Sequence, residues 1–220
     1  MSLIRENIKQ IKSGLGSGMT VVAVTKNRSA EEINEAISAG ITDIAENRVQ
    51  ELLEKYADIN KEGIKIHFIG HLQTNKVKYI IDKVDMIQSL DSVKLAAQID
   101  RECAAADKSM DVLVQVNIGN DPNKYGIAAD SVDRFLKEIS LFRRVNVRGL
   151  MSILPAGLEN GEIKGLFRDM RKLFVDTKDK KYDNVDMSFL SMGMSADYRI
   201  AADEGSNMVR IGTAMFGARK

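Results

Sequence analysis

Lys26 carries the strongest hint of chemistry in the chain. It closes the run TVVAVTK (20–26), whose β-branched residues predict a strand. At period two, Val22, Val24 and Lys26 share one face, and Val21, Ala23 and Thr25 share the other. Both faces are apolar up to the lysine, the pattern of a strand covered on two sides. An ammonium that continues a buried face is costly unless it is paired, neutralised or converted. A lysine held neutral by an apolar pocket condenses with an aldehyde to a Schiff base. Taken alone, the heptapeptide fits better a strand-end lysine that snorkels to solvent.

Two later stretches suit phosphate. GMSAD (193–197) places Ser195 at a predicted helix start, and RIGT (210–213) places Gly212 and Thr213 directly after a predicted strand. Backbone N–H groups in such turns and helix starts hold anions. Arg210 alternates onto the face of Met208 and Gly212, where it can meet a phosphate or a ring nitrogen. Each residue also has a plainer role: Ser195 as an N-cap, Gly212 as a turn residue, Arg210 as partner of a buried carboxylate. His67 and His71 read as hydrogen-bonding residues, and Met192, Met194, Met208 and Met215 as core filler.

The elements that must position these residues alternate strictly. Predicted strands lie at 20–26, 41–46, 64–70, 86–90, 110–119, 146–154, 187–193 and 208–212. A helix over 2–13 precedes them, and others follow: Ser29 to Gly40, Asn47 into VQELLEKYADI, 72–84, Ser92 to about Asp107, 130–142, 161–180 and 195–205. Ser29 with Glu32 makes a capping box. Such alternation requires parallel strands and right-handed crossovers. Eight units close a (β/α)8 TIM barrel, here a single domain over 1–220 with an additional N-terminal helix, although the usual barrel length is about 250 residues. An open doubly wound sheet is the alternative, but the first strand–helix turn lacks GxGxxG. In a barrel the active site lies at the C-terminal strand ends, and phosphate sites typically follow strands seven and eight. Lys26 and the two anion-binding turns then share one rim. So do Asn47, His71 and Met151. A phosphorylated aldehyde held by both describes pyridoxal phosphate.

Composition narrows the alternatives. A net charge of +1 gives no electrostatic pull toward nucleic acid or an acidic membrane. Cys103 is the single cysteine, so an intrachain disulfide is excluded, and with two histidines a multi-histidine metal site is not expected. The N-terminus is amphipathic rather than signal-like, and no apolar run approaches membrane-spanning length. A cytoplasmic protein is expected, and a monomer, because the barrel helices show no apolar stripe calling for a partner.

AVTK, AENRVQELLEK, IHFIGHLQTNK, LDSVKLA, NIGNDPNKYGI, RGLMSILP, LSMGMSAD and VRIGTAMFG together resemble the pyridoxal-phosphate homeostasis protein family, across about 20–218. The resemblance implies a barrel like the N-terminal domain of alanine racemase, with pyridoxal phosphate as an imine on Lys26. It implies phosphate contacts from Ser195, Gly212 and Thr213, Arg210 close by, and Asn47, His71 and Met151 around the ring or pocket wall. Lys124, in NDPNKYG, is implied as a secondary lysine near the entrance. The family often reads Lys-x-Lys-Pro after the first strand, whereas this chain has Lys26-Asn27-Arg28-Ser29. Arg28 keeps the charge but forms no imine at neutral pH. Ala45 stands where glycine is common and is expected to tighten a turn.

Racemisation at an α-carbon needs acid–base groups on both faces of the intermediate. In alanine racemases the second is a tyrosine from a β-rich domain, for which the sequence after Thr213 leaves no room. Tyr125 and Tyr198 lie near the rim without a motif that makes either a base. The expectation is therefore a protein that stores, buffers or delivers pyridoxal phosphate to recipient enzymes, with little or no turnover. A fold-type-III amino-acid racemase and a cofactor-free Schiff-base aldolase are the rival readings.

Overall fold

Strict alternation closes as the sequence predicts. In the computed structural model, which describes residues 2–218, eight parallel strands form a barrel in chain order. They are β1 (Thr20–Val24), β2 (Asp43–Glu46), β3 (Lys65–Phe68), β4 (Met86–Leu90), β5 (Met110–Val116), β6 (Val145–Ser152), β7 (Val185–Ser191) and β8 (Met208–Ile211). The helices are α1 (Leu3–Ser13), α2 (Ala30–Ser38), α3 (Val49–Lys55), α4 (Val77–Ile80), α5 (Val93–Ala105), α6 (Val132–Ile139), α7 (Asn160–Lys178), α8 (Tyr198–Asp203) and α9 (Thr213–Phe216). Pairing of β1 with β8, which sets Val22 beside Arg210 and Ala23 beside Ile211, closes the ring.

Alternation along each strand makes two apolar layers. Val22 and Val24 join Ala45, Ile69, Met86, Leu113, Met151 and Met208 inside the barrel. Val21 and Ala23 face outward into the larger core between the barrel and its helices. Both faces of β1 are thus buried, as its near-continuous apolar run requires. The interior also holds polar residues: His67, Gln88, Ser191 and Arg210 are all buried there.

Several predicted strands run too long. β1 stops at Val24, β3 at Phe68 and β5 at Val116, because the residues beyond leave the ladder to form the rim. Thr25 still donates its N–H to Ala45 O at 2.9 Å, and Asn27 then turns the chain with a φ of 57°. The predicted helix over 72–84 resolves into a 3-10 turn, Thr74–Lys76, and the short α4; Gln73 makes no side-chain cap there. By contrast, the Ser29–Glu32 capping box forms as the sequence predicts. Ala45 lies inside β2 with its side chain fully buried, so it tightens no turn.

One close approach shapes the rim. A Cβ on Gly70 would stand 2.0 Å from Asn47 O, so only glycine lets the chain after β3 pass the chain after β2. Cys103 is buried in α5, and burial pushes its thiol up to about 11, that of an inert core thiol. Among the described residues, no helix is long and apolar enough to cross a membrane, and no His, Cys, Asp or Glu cluster is placed to hold a metal ion.

Candidate functional site

Because β1 and β8 are neighbours, whatever follows one strand meets whatever follows the other. Val24, Lys26 and Arg28 from the β1 side, Met194, Ser195 and Ala196 after β7, and Arg210, Gly212 and Thr213 on β8 and beyond line one cavity of about 250 Å³. It lies at the C-terminal end of the barrel, where this architecture places its chemistry. Five predicted residues, Lys26, Ser195, Arg210, Gly212 and Thr213, come together in it.

Ser195 does not cap its own helix. Asp197 occupies the N-cap position of α8, and its Oδ1 accepts from Met194 N at 2.6 Å. Ser195 Oγ instead accepts hydrogen bonds from Gly212 N at 3.1 Å and Ala214 N at 3.2 Å, at the start of α9. Two backbone N–H groups therefore converge on one oxygen at the cavity wall. That is the donor arrangement an anion needs. Helix α9 was not visible in the sequence, since four residues carry no periodic signal.

Among the described residues, Arg210 bonds neutral acceptors rather than the buried carboxylate the sequence suggested. Its Nη1 donates to Ser191 Oγ at 2.6 Å and its Nη2 to Ser152 O at 2.7 Å. Its side chain is fully buried, and burial pushes the guanidinium down to about 10, with the charge of Asp197 acting in the opposite sense. A buried cation bonded to neutral acceptors favours an anion or a strong acceptor at its free edge.

Arg28 closes the wall beside Lys26. Its Nη2 donates to Gly217 O at 2.5 Å, its Nη1 pairs with Glu32 at 3.2 Å, and the guanidinium lies 5.4 Å from the Phe216 ring centroid. It thus ties the Lys26 turn to the end of α9, which a lysine could not do with the same planar fork.

The remaining candidates stand apart from the residues lining this cavity. Met151 is fully buried in the inner layer. Asn47 follows β2, and its Oδ1 is buried without a hydrogen-bond partner. His71 is exposed: its Nδ1 lies 3.5 Å from Asp91 Oδ2, and its ring stacks on Tyr125 with centroids 3.8 Å apart. Burial pushes the Asp91 carboxyl up, with His71 drawing it back. Lys124 is exposed in the loop after β5, where Asn117 bonds both the N–H and the carbonyl of Asp121. Of the four methionines assigned to the core, Met192, Met208 and Met215 are buried, but Met194 is 38% exposed and lines the cavity.

Sequence reasoning assigned no role to Lys55, which is buried beneath the Lys26 turn. Its Nζ pairs with Glu46 at 2.5 Å and Glu51 at 3.1 Å. Thr25 Oγ1 also donates to Glu46. Burial pushes the Glu46 carboxyl up, with the hydrogen bonds from Lys55 and Thr25 opposing it. The available signal was the Glu51–Lys55 spacing of four on α3, which most often marks a solvated pair.

The family model for the alanine racemase N-terminal domain matches residues 1–220. The chain belongs to that family and, within it, to the pyridoxal phosphate homeostasis proteins. It is 38% identical to the pyridoxal phosphate homeostasis protein of Aquifex aeolicus, over 100% of this chain and 97% of the relative. It is 33% identical to that of Escherichia coli, over 100% and 98%. Among solved structures, PipY of Synechococcus elongatus without PLP superposes with a TM-score of 0.92 at 35% identity, covering 97% of this chain and 100% of PipY. PipY with PLP bound gives 0.89 at 34% identity, with the same coverage. An alanine racemase of Clostridium difficile shares the fold, with a TM-score of 0.77 at 16% identity over 96% of this chain and 58% of the racemase.

Proposed function

We propose that this chain binds pyridoxal 5'-phosphate in the cavity between β1, β7 and β8, and serves in its storage, buffering or delivery. One observation supports the reading: Lys26 lines the same cavity as Ser195 and Gly212, where the N–H groups of Gly212 and Ala214 converge on the Ser195 hydroxyl. Lys26 is the amine that takes the aldehyde as a Schiff base. Ser195, Gly212 and Thr213 receive the phosphate, and the buried Arg210 presents its remaining donors to the ring. Asn47, with its orphaned Oδ1, and Met151 belong to the surrounding wall, and His71 and Lys124 to the mouth. When bound, the cofactor supplies an electron sink for chemistry at an amino-acid α-carbon. PipY, with 34% identity, has been solved with PLP bound.

The cavity's inventory of bases supports a reading of little or no turnover. Its titratable lining residues are Lys26, Arg28 and Arg210 among those described, and an arginine does not accept a proton at neutral pH. With Lys26 engaged, the described lining residues offer no second base, and His71 and Lys124 stand only at the mouth. The protein acts as a cytoplasmic monomer that passes its cofactor to recipient enzymes.

Borohydride reduction after incubation with pyridoxal phosphate, followed by peptide mass mapping, tests attachment and ligand together. A stable adduct on Lys26 is expected, and its loss in Lys26→Ala, with weaker non-covalent binding retained. A protein that stays colourless with the aldehyde sinks the cofactor reading. Robust exchange of the α-hydrogen of a small amino acid would instead favour a racemase-like enzyme.

A further inference from the structure

The barrel interior holds a hydrogen-bond chain that crosses it from the cavity floor toward the opposite end. Arg210 Nη1 reaches Ser191 Oγ at 2.6 Å, and Ser191 Oγ reaches Gln88 Oε1 at 2.8 Å. Gln88 Nε2 lies 2.9 Å from His67 Nδ1, and His67 Nε2 lies 3.0 Å from Asp43 Oδ1. The five residues sit on β8, β7, β4, β3 and β2, and all are buried.

Chemistry at the two ends dictates the direction of every bond between them. A guanidinium only donates, so Ser191 Oγ must accept from Arg210. The single serine hydrogen then goes to Gln88 Oε1, which leaves the Gln88 amide nitrogen to donate to His67 Nδ1. The second amide hydrogen is taken by Met208 Sδ at 3.2 Å. With Nδ1 accepting, His67 carries its proton on Nε2 and donates to Asp43. At that end a carboxylate only accepts. Burial disfavours the charge on Asp43, but hydrogen bonds from His67 and Thr42 outweigh it and hold the carboxyl below its usual range. A cation and an anion thus terminate a chain whose dipoles all align.

We propose that His67 is a positioning residue for Arg210: by accepting from Gln88 Nε2 it keeps the amide oxygen on the Ser191 proton, so that the serine lone pair stays aimed at the guanidinium, and so links Arg210 to Asp43 as a distant counter-charge. Arg210 can then remain a cation at the cavity floor while its hydrogen bonds among the described residues go to neutral acceptors, with no carboxylate bonded to it to compete for an incoming ligand. The importance of that for binding rests on the proposed pyridoxal phosphate site; the chain's direction does not.

The test begins without ligand. In ¹⁵N-resolved NMR of the protein, His67 is expected as the neutral form with the proton on Nε2, and the Arg210 guanidinium resonances are expected to move in His67→Leu. His67→Gln, which still offers an acceptor to Gln88 and a donor to Asp43, should restore them. Gln88→Leu gives the same reading if His67→Leu fails to fold. With pyridoxal phosphate added, affinity should fall about tenfold in His67→Leu, the scale of one buried hydrogen bond, and the absorption maximum should shift. Both should return in His67→Gln. A proton on Nδ1, or unchanged Arg210 resonances in both leucine variants, overturns the proposal. A wild-type protein that shows the resonances but binds no pyridoxal phosphate refutes the functional reading alone.

Discussion

Lys55 Nζ hydrogen-bonds to the carbonyls of Thr25, at 2.8 Å, and Arg28, at 3.2 Å, and so brackets Lys26 on both sides. One lysine is spent in holding the turn that presents the other. The clamp is anchored by Glu46 and Glu51, so a single ammonium joins the end of β1, the end of β2 and α3.

Removing that ammonium should be costly. Lys55→Met leaves Glu46 buried without its cation, and destabilisation of about 3–5 kcal/mol is expected from chemical denaturation. The double variant Lys55→Met/Glu46→Gln should recover much of the loss, because no uncompensated charge is left behind. The rate of Lys26 modification by pyridoxal phosphate should fall in both variants, since neither holds the turn.

Ser195→Ala should separate local stability from binding. It removes the oxygen shared by Gly212 N and Ala214 N, a capping loss of about 1 kcal/mol. Titration with inorganic phosphate, followed by thermal shift, should show weaker protection than in wild type. In wild type, phosphate at 100 times its dissociation constant should stabilise by about 2.7 kcal/mol. Phosphate protection equal to wild type in Ser195→Ala would remove the serine from the anion site.

Gly70→Ala tests the rim. The new Cβ would sit 2.0 Å from Asn47 O, so the chains after β2 and β3 must separate. A loss of roughly 1–3 kcal/mol is expected, with reduced affinity for pyridoxal phosphate if Asn47 forms part of its wall. A denaturation midpoint unchanged from wild type would contradict the close approach.

Acid stability should report Asp43. Its folded pKa lies below the ordinary 3.8, so the unfolded chain binds its proton first as the pH falls. Its contribution is therefore present above about the ordinary value and lost as pH drops through the folded one. In Asp43→Asn, the fall of stability with decreasing pH below about 4 should be shallower. Equal slopes in the two proteins would show that His67 and Thr42 do not hold the carboxylate.

The sequence by itself determined the barrel and the rim. Period-two alternation in TVVAVTK put Val22 and Val24 on one face and Val21 and Ala23 on the other, because a strand offers its side chains only two faces; closure of the barrel decided which face points inward. Eight such strands separated by helices left little topological freedom. Once their order was known, Lys26, Ser195, Arg210, Gly212 and Thr213 had to share one end. Tertiary structure alone decided the contacts between residues far apart in the chain. Ser195 caps the helix after β8 rather than its own, and Lys55 lies buried under the Lys26 turn rather than in solvent. Asp43 and Arg210 join across the barrel through three intervening side chains. None of these leaves a local trace, because a hydrogen bond depends on separation and direction in space, whereas periodicity records only which face a residue occupies.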